Sequence, residues 1–302
     1  MPAFIFKNKY TVNVNIDRPP SQQDNLQDSQ QDNLQDNPQD RAITLVLMTA
    51  IGVPLTKYTK FISALTEQGF TVVSADYPCC GENQPHISRG IDYGYQDLID
   101  EFVPALLNSA KAMTPEHQIL MLGHSIGAHI GSIYSALTDT PLIAVATGNI
   151  HYKNWQGLGR LNILRAAAAF EVLIRIFGYL PGYKVGFGRK EPKELMKDWC
   201  RTAWTGKFDF IKEFKSPVYK EAKANKGQGL YFNIIGDDFA PLASTQHLSE
   251  LCARAKVVRV QLDPSLKGNQ HSIWIKSPDS IVDSIIANLD FFNEAVADSK
   301  LD

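Results

Sequence analysis

Apolar residues along the chain come in two patterns. Near-continuous apolar runs at 42–48, 70–75, 118–122, 141–146 and 229–235, and a further strand, Lys-Val-Val-Arg-Val-Gln-Leu at 256–262, alternate with stretches whose apolar positions recur at helical spacing. Runs of the first kind are strands covered on both faces. The helical stretches are 58–68, 93–112, 242–255 and 277–298, the second marked by Leu98, Ile99, Phe102, Val103, Leu106 and Leu107, with a kink expected at Pro104. Strand, turn, helix and parallel strand in repeated order predict a doubly wound, mostly parallel α/β sheet.

Two stretches break the alternation. Residues 10–17 read Tyr-Thr-Val-Asn-Val-Asn-Ile-Asp with period two, the mark of a half-buried strand, and end at Pro19-Pro20. Residues 21–40 then repeat Ser-Gln-Gln-Asp-Asn-Leu-Gln-Asp with Leu26 and Leu34 as their only apolar side chains, aside from Pro38. So little apolar surface cannot offset ordering entropy, which predicts a disordered loop in a hairpin between the first strand and the next. The alternation also stops over 149–225, where aromatics accompany an apolar helix at 161–180. That helix carries Arg165, Glu171 and Arg175, so it is amphipathic and does not span a membrane. The expected organisation is an N-terminal half of the core over 1–148, a helical cap insertion over 149–225 and the rest of the core over 226–302.

Composition narrows the partners. A chain of 302 residues with 44% hydrophobic content can bury one large core, and a net charge of −2 gives no footprint for nucleic acid or an anionic membrane. Cys79, Cys80, Cys200 and Cys252 fit neither a metal spacing nor a disulfide scaffold, and no charged leader or long apolar run is present. The expectation is a soluble, cytoplasmic protein with free thiols and no stable membrane insertion; a homodimer stays open. No metal cluster or phosphate-binding glycine loop appears, so no cofactor and no metal is expected.

The chemistry centres on Gly123-His124-Ser125-Ile126-Gly127, between the strand run 118–122 and a small-residue helix. A serine at such a strand-to-helix turn is exposed, and glycines on either side remove side chains that would collide. A serine hydroxyl needs an imidazole to take its proton and a carboxylate to hold that imidazole. The order serine, acid, histidine is available: Gly236-Asp237-Asp238 follows one late strand and Gly268-Asn-Gln-His271 the next. Asp237 is preferred over Asp238, with Asp263 a lesser candidate. His117, His247, His86 and His151 are placed less well than His271, while His124 and His129 flank the serine as packing or pocket-lining residues. Two amides should face a developing oxyanion, that of Ile126 and one from Ala50-Ile51-Gly52, with Ile51 the first choice.

The chain resembles the α/β-hydrolase superfamily, and within it a branch of predicted hydrolases near the serine aminopeptidase-like and monoacylglycerol lipase-like enzymes. Thr49-Ala-Ile-Gly-Val-Pro54, Gly69-Phe-Thr-Val-Val-Ser-Ala-Asp-Tyr77, Gly123-His-Ser-Ile-Gly127, Leu180-Pro-Gly182, Asp198-Trp-Cys200 and Asp237-Asp-Phe-Ala-Pro241 carry the likeness, in order. It implies a Ser125, Asp237, His271 triad acting on an ester-like or amide-like bond. Three departures stand out: Asp76-Tyr-Pro-Cys-Cys-Gly81 where relatives usually read Asp-Tyr-Arg-Gly, Ala128 where a second glycine is common, and Gln270 where a glycine usually precedes the histidine. The expected substrate is a small-molecule ester or acyl compound, with the aromatics Trp155, Phe170, Phe177 and Tyr179 of the cap favouring an acyl or aromatic group. A peptidase, amidase or thioesterase of the same fold is the alternative, and a non-catalytic binding protein the alternative outside enzymes.

Overall fold

The computed structural model describes residues 2–20, 41–216 and 226–293. In chain order its elements are β1 (Ala3–Phe6), β2 (Tyr10–Asn13), β3 (Asn15–Asp17), β4 (Ile43–Met48), α1 (Thr59–Glu67), β5 (Thr71–Ser74), α2 (Val103–Met113), β6 (Gln118–His124), α3 (Ile126–Thr138), β7 (Leu142–Val145), α4 (Leu158–Phe177), β8 (Leu180–Pro181), β9 (Lys190–Glu191), α5 (Lys193–Thr205), β10 (Gln228–Ile234), α6 (Leu242–Ser249), β11 (Arg254–Val260) and α7 (Asp279–Ile286). Seven strands form one sheet in the order β11-β10-β7-β6-β4-β5-β3, parallel throughout except for β3 at the edge. This is the α/β-hydrolase fold, the doubly wound class that the alternation predicts.

The continuous apolar runs follow from burial on both faces. Val46, Met48, Val73, Met121 and Ala144 pack under α2 and α3, while their neighbours Leu45, Leu47, Val72, Leu120, Leu122 and Ile143 pack under α1, Trp274 and α7. Side chains alternate across a strand, so a strand with a core on each side is mostly apolar, and its few polar residues, such as Thr44, Ser74 and Asn233, are buried with the rest.

The structure corrects several sequence expectations. Residues 10–17 form two strands in different sheets: β2 pairs antiparallel with β1 and β3 antiparallel with β5. Asn83 accepts the amide of Asn13 through its side-chain oxygen at 3.0 Å, while the Val14 amide still bonds to the Pro2 carbonyl at 2.9 Å. No hairpin with β4 forms, because β5 and β6 already occupy both edges of β4. The expected loop at 21–40 lies outside the described residues. The kink at Pro104 takes the form of a π turn, Leu98–Phe102, immediately before α2; the wider turn accommodates a residue with no amide hydrogen and a bulky ring. The helix expected at 242–255 stops at Ser249, because Arg254 and Ala255 are drawn into register with Gln228 and Gly229. The helix expected at 161–180 runs Leu158–Phe177, closed by a left-handed Gly178, and the closing helix is α7 followed by a short 3-10 turn at Leu289–Phe292.

Between β7 and β10 the described chain is largely helical. Ala167, Phe170 and Ile174 of α4 pack on Met196, Trp199, Cys200 and Ala203 of α5, with Leu180 beside them, so this segment has an apolar core of its own. Asp198 ties it to the main body by accepting the amide of Tyr95 at 3.0 Å.

Candidate active site

β6 ends at His124 and α3 begins at Ile126, so Ser125 alone makes the turn. Its backbone sits at φ 54°, ψ −116°, a conformation that L-residues rarely adopt and that the surrounding packing must hold. Both flanking glycines are required by close approach. A Cβ on Gly123 would run into the backbone of Ala128, and one on Gly127 into the carbonyl of Met48. The Ser125 amide donates to the Val145 carbonyl at 3.1 Å, and the Thr147 hydroxyl donates to the Ser125 carbonyl at 2.8 Å.

The two later strands supply the partners. Ser125 Oγ lies 2.9 Å from His271 Nε2, and His271 Nδ1 lies 2.8 Å from Asp237 Oδ2. The Asp237 side chain is fully shielded from solvent, whereas that of His271 is 16% exposed. The other Asp237 oxygen accepts the amides of Phe239 and Ala240 at 2.9 and 3.2 Å. Asp238 is exposed and enters only through its main-chain oxygen, which accepts from the Trp155 indole at 2.8 Å. Adjacent side chains at a strand end point in different directions, and only Asp237 points at the imidazole. Asp263 instead accepts the amide of Ser265 at 2.8 Å, in a turn away from Ser125.

A buried relay, absent from the sequence reading, runs behind these groups. The Ala50 amide donates to the Tyr58 hydroxyl at 2.8 Å, Tyr58 lies 2.7 Å from His124 Nδ1, and His124 Nε2 lies 2.9 Å from the carbonyl of His271. A carbonyl can only accept, so His124 carries its proton on Nε2 and its Nδ1 accepts the hydrogen bond that the Tyr58 hydroxyl donates. Every member of the chain then has a defined direction. Burial keeps the His124 imidazole neutral by pushing its pKa well below the ordinary histidine value, and it pushes the Tyr58 phenol up. The Trp274 indole makes a second bond to the same His271 carbonyl at 3.0 Å. The relay joins the Thr49–Gly52 loop to the backbone that carries His271. Tyr58 occupies the Ala50 amide, whereas no protein acceptor takes the Ile51 or the Gly52 amide among the described residues. The Ile126 amide is at a helix start, where no intrahelical acceptor exists.

Ser125, Ile126, His129, Thr147, Gly148, Ile150, Trp199, Phe239, Ala240 and His271 line a recess of about 40 Å³. Of the aromatic residues expected to shape the substrate site, Phe170 sits inside the core of the inserted segment and Trp155 is buried against Asp238; neither lines this recess, nor do Phe177 and Tyr179. Trp199 and Ile150 do. A larger cavity of about 380 Å³ is bounded by Thr49, Ala50, Tyr77, Cys79, Arg189 and the buried Glu191, among others, and not by Ser125. Burial pushes the Glu191 carboxyl up to about 7, against a bond from the Arg189 amide at 2.6 Å and the nearby guanidinium of Arg189. Among the described residues no three His, Cys, Asp or Glu side chains converge as a metal site, and no helix is long and apolar enough to cross a membrane.

Residues 44–170 match the family model described as the alpha/beta hydrolase fold. No curated protein sequence matches the chain. Solved structures that share the fold include a carboxylesterase from the thaumarchaeon Nitrososphaera gargenis (TM-score 0.59, 15% identity, 97% of this chain and 100% of that one). Est1E from Butyrivibrio proteoclasticus with bound ferulic acid is similar (0.59, 15%, 95% and 98%). So is a soluble variant of monoglyceride lipase from Saccharomyces cerevisiae in complex with a substrate analog (0.61, 14%, 96% and 94%).

Proposed function

We propose that this chain, which has the α/β-hydrolase fold, is a serine hydrolase that cleaves a carboxylic ester-like bond through an acyl-enzyme intermediate. One observation carries this reading: the unbroken line from Ser125 Oγ through the His271 imidazole to a carboxylate sealed from water. In this scheme Ser125 attacks the ester carbonyl as His271 Nε2 takes its proton, and Asp237 holds the Nδ1–H tautomer and stabilises the imidazolium. His271 then returns the proton to the leaving alcohol, and a water molecule activated by the same imidazole releases the acid. The amides of Ile126 and Ile51 receive the negative charge on the carbonyl oxygen, each worth about 3 kcal/mol in a dry site. No step calls for a cofactor.

The inserted segment acts as a cap, since Ile150 and Trp199 wall the recess beside Ser125. The substrate is a small-molecule ester. The esterase and lipase neighbours support ester chemistry over amide chemistry, and the four free cysteines support a cytoplasmic location. Labelling with a fluorophosphonate probe tests the scheme. The wild-type protein should label covalently and hydrolyse short p-nitrophenyl esters, and Ser125→Ala should do neither. Equal hydrolysis by the folded variant would sink the assignment.

A further inference from the structure

His129 stands one helical turn after Ser125 and lines the same recess. It is 3% exposed, and burial pushes its pKa down to about 3, so the imidazole is neutral at working pH. Its Nδ1 lies 2.9 Å from the hydroxyl of Tyr95, which is itself fully buried. Its Nε2 is buried and has no hydrogen-bond partner among the described residues.

The tautomer follows from counting donors and acceptors. Among the described residues the Tyr95 hydroxyl has no polar partner other than His129. If Nδ1 carried the imidazole proton, the Tyr95 hydrogen and the Nε2 lone pair would both be buried and unsatisfied. If Tyr95 donates to Nδ1, one group is left over, the Nε2–H. Each unmatched buried polar group is costly, so the second arrangement prevails. The ring is held in place by edge contacts with Tyr95 and Phe208, at centroid separations of 5.6 and 4.9 Å. A fixed N–H donor without a partner among the described residues therefore sits on a ring that lines the space next to the serine. At roughly 10–15 Å³ per water-sized unit, 40 Å³ holds a group of about three non-hydrogen atoms.

We propose that His129 determines specificity at this site: its Nε2–H binds an acceptor oxygen, whether ether, hydroxyl or carbonyl, on the short substrate group that fills the recess. The preferred substrates are then small esters bearing a second oxygen near the scissile bond, and plain alkyl esters are the poorer class. This deepens the serine-hydrolase reading and rests on it.

The test pairs each ester with its oxa-analogue of the same length. On the acyl side, p-nitrophenyl methoxyacetate is compared with butyrate and p-nitrophenyl 3-methoxypropionate with pentanoate; on the alcohol side, 2-methoxyethyl acetate is compared with butyl acetate. Intrinsic reactivity cancels when the oxygen/carbon ratio of kcat/KM in the wild type is divided by that in His129→Leu. That quotient should be roughly five- to tenfold in at least one arm, the scale of one hydrogen bond, and His129→Gln, which keeps a donor, should restore most of it. A quotient within twofold of unity in every arm, with His129→Leu folded, overturns the proposal.

A second readout does not depend on turnover. Long-range ¹⁵N–¹H correlation in the full-length Ser125→Ala protein should show the His129 proton on Nε2, and its signal should shift on titration with methoxyacetamide but not with butyramide. A proton on Nδ1, or equal responses to the two amides, overturns the proposal even if the protein proves to be an esterase. If the wild type cleaves none of the esters, the hydrolase reading fails, and the NMR result alone decides whether His129 is an oxygen-binding donor.

Discussion

Tyr58 shows how much of this site is held from behind. Its hydroxyl satisfies the Ala50 amide and the His124 imidazole together, and His124 in turn holds the backbone of His271. In Tyr58→Phe the ring remains, but one amide and one ring nitrogen lose their partners in a buried place, a loss of about 1–3 kcal/mol in stability. The expected kinetic signature is a kcat lowered on the order of tenfold with KM within about twofold, because geometry suffers more than binding. Steady-state kinetics on a short p-nitrophenyl ester checks this, and an unchanged kcat with lowered stability would reduce the relay to scaffolding. Asp237→Asn addresses the front of the site: it should cut kcat by roughly 10³- to 10⁴-fold through the wrong tautomer, with little change in folding. Measuring kcat next to a thermal melt separates the two effects. Ser125, Asp237 and His271 could be found in the sequence because a motif and an order of strand ends point to them. The choice between Asp237 and Asp238 rests on direction alone. Tyr58 is illegible because it lies on the same stripe as Leu55, Phe61, Ile62 and Leu65, and a phenol there looks like any core aromatic.

The strands were the most legible elements, since an apolar run sealed on both faces leaves few alternatives. Pairing is less so: the alternation in residues 10–17 says that one face is buried but not which neighbour pairs with it, and β3 finds its partner in β5, far away in sequence. Helices end earlier than their periodicity implies where the signal to stop is tertiary, as at Ser249. The inserted helices α4 and α5 form a separate packing unit around Phe170, Met196 and Trp199. Phe170→Ala should therefore cost about 3–5 kcal/mol locally. Hydrogen exchange should speed up in α4 and α5 while the amides of β4 and β6 keep their protection, since sub-global opening follows packing units. Uniform loss of protection across the sheet would show instead that the two cores open as one.

For the molecule as a whole, Glu191 sets a pH dependence of stability. Below about pH 4.5, its ordinary value, the carboxyl is protonated in folded and unfolded chains alike. Between 4.5 and about 7 the unfolded chain ionises while the buried carboxyl keeps its proton, so stability falls as pH rises and levels off above that window. The full effect is about 3 kcal/mol. Denaturation of wild type and Glu191→Gln at pH 4.5 and pH 8.5 should show the variant gaining relative stability at the higher pH; parallel curves would refute the assignment. The sheet has a further consequence, in time. The serine at the end of β6 and the histidine beyond β11 are 146 positions apart, with the inserted helices between them. At about 5–20 residues per second, a ribosome delivers Ser125 on the order of ten seconds before His271. Through that interval the growing chain holds Ser125 without the His271 imidazole, so under the proposed scheme the onset of covalent labelling during synthesis would time the docking of β11 and the turn that follows it.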